Sequence, residues 1–235
     1  MEHQSKALPN HSLEQTRDSA GFAWSWVMIG EESELLSSKP LGCIFMDMIT
    51  DLLFWTAVVF ELIYLALFAW TIKSESFRFW PPPSARSWQF FVAWIVAGIV
   101  FVLYLLLGLF DFDSFVLPSF WIRAPIALAF LLVGSALGSW ASLSFSFRAT
   151  LGLGNQLIIR GPYHYSRNPQ YIADSLLIVG YFVLTNSCMV GVTGLLGVVL
   201  NLLAPFTEES WLEERFEEEY RNYKSRIPRF IGRRK

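Results

Sequence analysis

Side chains able to do chemistry are concentrated in two stretches of the last third of the chain, LIIRGPYHYSRNPQY (Leu157 to Tyr171) and TEESWLEERFEEEYRNYKSRIPRF (Thr207 to Phe230). In the first, Gly161 and Pro162 force a turn, and Pro169 suits the opening turn of a helix, where its missing N–H is not needed. Asn168 then stands at the N-cap position, and the free N–H groups of such a helix start suit the carboxylate of a bound ligand. In the second, Glu208 and Glu209 sit at the start of a helix, where a carboxylate can complement the dipole or hold a cationic ligand. Beyond them Leu212, Phe216, Tyr220 and Tyr223 recur at helical spacing, with Glu213, Glu214, Glu217, Glu218 and Arg221 between. That pattern predicts an amphipathic helix lying along the cytoplasmic surface, its Glu run a solvated face.

The two stretches flank one apolar segment, Tyr171 to Phe206, interrupted by Thr185, Asn186 and Ser187. Such a segment reads as a helical hairpin whose arms are short for a straight membrane crossing. A hairpin returns both ends to one side, so Tyr163, Arg167, Asn168 and Tyr171 can meet Glu208, Glu209, Arg226 and Arg229 across one pocket. Asp174 lies three residues after Tyr171, on the same helical face, and is the candidate substrate contact. Glu61 also falls inside an apolar run, where an ionisable group is costly, but its sequence surroundings assign it no role.

The elements that must position these residues follow from composition. Of 235 residues 54% are hydrophobic and 16% charged, against roughly 25% charged in soluble domains, which excludes a soluble globule. With 18 Lys and Arg against 20 Asp and Glu the net charge is -2, which argues against a generally basic nucleic-acid binder. Runs of about 20 apolar residues match a hydrocarbon layer roughly 30 Å thick. Three such runs precede the hairpin, Leu52 to Ile72, Trp88 to Phe110 and Phe120 to Leu143. The expected fold is therefore an all-α integral membrane protein of about five transmembrane helices, with a C-terminal hairpin and a cytoplasmic amphipathic helix. It divides into a polar N-terminal tail (1–41), three membrane helices (42–145), and the loop, hairpin and final helix (146–235).

Within the tail, which lacks the layout of a signal peptide, the Trp-rich Gly21 to Gly30 is expected to lie at the membrane interface. Asp47 and Asp51 are expected to cap the start of the first span. Gly134 and Gly138, and the series Gly191, Gly194 and Gly197, read as close-packing faces between helices. Cys43 and Cys188 lie in apolar runs without metal-ligand spacing, so neither a disulfide framework nor a metal site is expected. Basic residues cluster in alternate connections: Lys73, Arg78 and Arg86 in the first, Arg148, Arg160 and Arg167 in the third, and none from Asp111 to Pro118. By the positive-inside rule the N-terminus lies outside and the C-terminus in the cytoplasm.

The run GPYHYSRNPQY, a hydrophobic hairpin, EESWL, FEEEY and RIPRF, in that order, resembles the C-terminal half of the isoprenylcysteine carboxyl methyltransferase and phospholipid methyltransferase superfamily of membrane enzymes. The likeness covers about a third of the chain, Leu157 to Ile231. It implies a methyltransferase whose loop, hairpin and final helix enclose S-adenosylmethionine, open to the cytoplasm for the cofactor and to lipid for a lipophilic acceptor. By this resemblance Gly161, Pro162, Tyr163, Arg167, Asn168, Pro169 and Tyr171 match the family's GPY and RHPxY elements, and Glu208 and Glu209 its Glu pair. Arg226 and Arg229 fall in the closing basic-proline motif; all of these are cofactor-binding candidates.

Three positions depart from the family pattern. Asn168 stands where His is usual, Glu217 where many members have Gly, and Phe206 and Thr207 precede the Glu pair where prenylcysteine-specific members carry an Arg. The last departure argues against a prenylcysteine acceptor. Methyl transfer from a sulfonium gains mainly from alignment and exclusion of water. Arg167 can orient a carboxylate acceptor, whereas Glu208 or Glu209 can take the proton from an amine, so these three are the catalytic candidates. Two alternatives compete: an NADPH-dependent reductase of the sterol type, and a non-catalytic membrane protein that keeps the fold.

Overall fold

Long apolar runs satisfy their backbone polar groups internally only as helices, and helices are what the described residues form. The computed structural model describes residues 41–74, 76–144, 153–154 and 156–232. The expectations for Gly21 to Gly30 and the rest of the tail through residue 40 lie outside them, as does Arg148. Five α-helices follow in order: α1 (Leu41–Lys73), α2 (Trp88–Phe110), α3 (Phe120–Ser144), α4 (Pro169–Thr185) and α5 (Cys188–Arg226), with a 3-10 turn at Gly161–His164 before α4. Four of them, α1, α2, α3 and α5, are long and apolar enough to cross a membrane. The fifth, α4, has 17 residues, about 26 Å at 1.5 Å per residue, short as expected of both hairpin arms, whereas the other arm, α5, is long enough to span.

Two boundaries differ from the sequence expectation. Helix α1 begins at Leu41 with no acidic residue in its first turn, so Asp47 and Asp51 are mid-helix and do not cap its start. At the other end α5 does not stop at Phe206. Pro205 removes one hydrogen bond from the ladder, yet the helix continues through it. The break comes at Glu217, whose φ of 42° and ψ of -114° separate a last short helical piece. The amphipathic stripe is thus the continuation of a membrane helix. Tyr220 and Tyr223 of that stripe pack with Leu212, Phe216 and Ile227 against Leu157, in the segment ahead of the 3-10 turn.

The glycine faces pack as read. A Cβ on Gly134 would lie 3.0 Å from the Ala173 carbonyl oxygen, and one on Gly194 would lie 3.0 Å from the Ile178 side chain, so α3 and α5 both close onto α4 through these faces. Alternating helix directions place the ends of α1, α3 and α5 and the starts of α2 and α4 at one end of the bundle. The opposite end carries the 111–118 connection and the hairpin tip. There Asn186 takes the left-handed conformation as C-cap of α4, and Ser187 caps α5 by accepting from Val190 N–H.

Candidate functional site

The loop ahead of α4 is held by its own chemistry. Gly161 has φ +64°, and a Cβ there would meet Ser144 Oγ at 2.2 Å, so only glycine fits this turn against the end of α3. Arg160 Nε donates to the Ser144 carbonyl at 3.2 Å. Pro162 and Tyr163 are buried in the turn, and Tyr223 donates its hydroxyl to the Tyr163 carbonyl at 2.6 Å. Burial pushes the Tyr163 hydroxyl above its ordinary pKa, so it stays a protonated donor.

Asn168 occupies the N-cap position, but its side chain does not cap α4. Its amide instead donates to the Arg229 carbonyl at 2.9 Å, and the Arg167 N–H donates to the Pro228 carbonyl at 3.0 Å. The loop and the chain beyond α5 are thereby stitched together by backbone-directed bonds.

One carboxylate organises the charges. Glu209 accepts from Arg229 through both oxygens, at 2.6 and 2.9 Å, and from Arg167 Nη1 at 3.0 Å, with Lys224 Nζ 3.4 Å away. Arg167 and Glu209 side chains are 8% and 11% exposed, so this is a desolvated cluster whose members depend on one another. Tyr220 accepts from the same Arg167 nitrogen at 3.0 Å. The Arg229 guanidinium also lies 3.9 Å from the ring centre of Phe206. Glu208, one residue earlier, faces different partners: it accepts from Trp80 Nε1 at 2.6 Å and from the Tyr171 hydroxyl.

These residues border a cavity of about 700 Å³, within the usual range of small-molecule sites. Tyr163, Arg167, Asn168, Tyr171, Asp174, Glu208 and Glu209 all line it. Gly161, Pro162, Pro169, Arg226 and Arg229 do not; the first three shape the loop, Arg229 holds Glu209, and Arg226 is exposed. Trp80, which no motif in the sequence singles out, reaches the site from the connection after α1. Tyr220 and Tyr223 read in the sequence only as an apolar stripe. Among the described residues no group of three His, Cys, Asp or Glu side chains is arranged to hold a metal ion.

The loop, the hairpin and the Glu pair that meet at this cavity all fall in one stretch of sequence with a recognised pattern. Residues 122–219 match the phospholipid methyltransferase family. The superfamily resemblance read from the motifs is shown over this segment. The phospholipid methyltransferase segment includes Arg167 through Glu209 and ends before Arg226 and Arg229. Over 117 residues the chain is also 31% identical to the cobalt-zinc-cadmium resistance protein CzcN of Cupriavidus metallidurans, covering 47% of this chain and 51% of that one. The alignment thus spans about half the length of the curated relative. No solved structure matches the chain significantly.

Proposed function

We propose that this chain is an integral membrane methyltransferase that uses S-adenosylmethionine and methylates a lipid or other lipophilic acceptor at the cytoplasmic face, with its C-terminus on that side. The observation that carries the reading is the meeting of the GPY–RNPQY loop and the Glu208–Glu209 pair on one cavity, inside the segment that matches the family. Its charged lining residues are Glu61, Asp174, Glu208 and Glu209 against Arg167 alone, an acidic balance that suits a cationic ligand. Tyr163 and Tyr171 add aromatic surface that favours a sulfonium.

When bound, the cofactor supplies an electrophilic methyl group. The chain's own part is to align and to exclude water. Glu208, fixed by Trp80 and Tyr171, is the carboxylate placed to meet a cationic group or take a proton from an acceptor. Arg167 is held by Glu209 and Tyr220, and so serves first to position that wall.

Calorimetric titration of the detergent-purified protein with S-adenosylhomocysteine and with NADPH tests the reading. Saturable binding of the adenosyl ligand, and none of NADPH, is expected. NADPH binding alone would move the protein to the reductases, and binding of neither by folded protein would make it non-catalytic.

A further inference from the structure

The cavity reaches well beyond the Glu208 end. Glu61, on α1, is 3% exposed and lines the cavity, and its Oε2 has no hydrogen-bond partner. Across from it α5 carries Gly197, where a Cβ would stand 3.9 Å from Glu61 Oε1, so a glycine leaves the carboxyl open room. Gly197 and Glu208 are separated by about 16 Å along α5 at 1.5 Å per residue. A cation held at Glu208 is therefore too far away to serve Glu61.

Among the described residues none donates to Glu61 Oε2, and the polar side chains of the neighbouring wall donate elsewhere, Thr193 to the Met189 carbonyl and Asn201 to Ser175 Oγ. The Tyr64 and Tyr104 hydroxyls are donated to the Ala93 and Ile178 carbonyls. Arg167, the one basic lining residue, is bonded to Glu209 at the other end. Between the two ends stands Asp174, a second acid, one helical turn from Ile178. A buried carboxyl with an unmet oxygen is destabilising unless something donates to it. A chamber lined by carboxyls and aromatic rings is complementary to a cation and offers a carboxylate no cationic partner at the Glu61 end.

We propose that Glu61 is a specificity-determining residue of this cavity: it binds a protonated amine of the methyl acceptor that is remote from the group methylated beside Glu208, and disfavours acceptors that present a carboxylate at that remote position. The inference rests on the methyltransferase reading for the word acceptor, but the cation site itself does not.

The test titrates full-length protein in dodecylmaltoside with dodecylamine and with dodecanoate, followed by tryptophan fluorescence, beside calorimetry with S-adenosylhomocysteine. The wild type is expected to bind dodecylamine at least tenfold more tightly than dodecanoate. Glu61→Gln is expected to lose at least tenfold in dodecylamine affinity while binding S-adenosylhomocysteine within twofold of the wild type. Gly197→Ser, which offers Glu61 an internal hydroxyl donor, is expected to weaken dodecylamine as well and serves if Glu61→Gln does not fold. Unchanged dodecylamine affinity in the folded variants, or a wild-type preference for dodecanoate, overturns the assignment. A wild type that prefers the amine but binds no S-adenosylhomocysteine supports the cation site and overturns the methyltransferase reading alone.

Discussion

The two ends of the helix bundle are both knotted by polar side chains, yet they are built to different purposes. At the hairpin tip Asn186 donates its amide to Asp113 at 2.6 Å and to the Phe115 carbonyl at 2.8 Å, and accepts from Leu117 N–H at 3.1 Å. Asp111 accepts from Ser187 and from the Met189 N–H, and Asp113 N–H reaches the Thr185 carbonyl. The Asn186 amide and the Arg123 guanidinium hold the Asp113 carboxyl below its usual pKa. This knot joins a connection to a hairpin and borders no part of the cavity. At the other end the Glu209 cluster joins a loop to the chain beyond α5 and leaves a chamber lined by Glu208 and Asp174. Polar density marks both ends; only the one that keeps acidic groups facing a cavity reads as a site.

Removing the centre of each knot should separate these roles. Glu209→Ala strands Arg167 in a buried position, and breaking a buried pair by deleting one partner costs about 3–5 kcal/mol. The partly exposed Arg229 adds less. The variant should show this loss in denaturant unfolding in mixed micelles, and S-adenosylhomocysteine affinity should fall at least tenfold. Asn186→Ala removes three side-chain hydrogen bonds and a residue tolerant of the left-handed conformation, a loss of about 2–3 kcal/mol. Its adenosyl ligand affinity should stay within twofold of the wild type. If Asn186→Ala weakened ligand binding as much as Glu209→Ala, the two ends would be one coupled unit and the contrast would fail.

The same contrast explains what was legible beforehand. Helix α2 runs from Trp88 to Phe110, the bounds read from hydropathy, because a capping Ser87 and an acidic connection bracket a run that is apolar apart from Gln89 near its start. The α4–α5 hairpin was equally clear, since Thr185, Asn186 and Ser187 interrupt an otherwise apolar stretch. The loop and the Glu pair stood out because polar residues are scarce in this chain. Trp80 did not, because one Trp among several near membrane ends looks like an interfacial anchor; only its tertiary placement brings it to Glu208. Nor did the division of labour within the pair: adjacent carboxylates point to different faces of one helix, and sequence does not say which face meets Arg167. The stop expected at Phe206 failed because Pro205, buried, is accommodated within α5, and the backbone yields twelve residues later at Glu217.

That residue offers the smallest test, and it has the opposite sign. Both ends contain residues with positive φ, but at the tip these are Asp113 and Asn186, side chains that tolerate the left-handed region. At the site end the break in α5 falls on Glu217, with φ 42° and ψ -114°, well away from the left-handed helical basin and poorly suited to a residue with a Cβ. Its side chain is exposed, so little packing is lost on removing it. Glu217 is also one of the three departures from the family pattern read from the motifs, and it follows Phe216, which lines the cavity. Glu217→Gly should relieve about 1–2 kcal/mol of strain while lowering stability by roughly 0.5–1 kcal/mol through the freer unfolded chain, a net gain of up to about 1 kcal/mol. Denaturant midpoints should shift upward while S-adenosylhomocysteine affinity stays the same or rises. A midpoint that falls would mean that the Glu217 side chain, and not the backbone break, holds the last helical piece against Leu157.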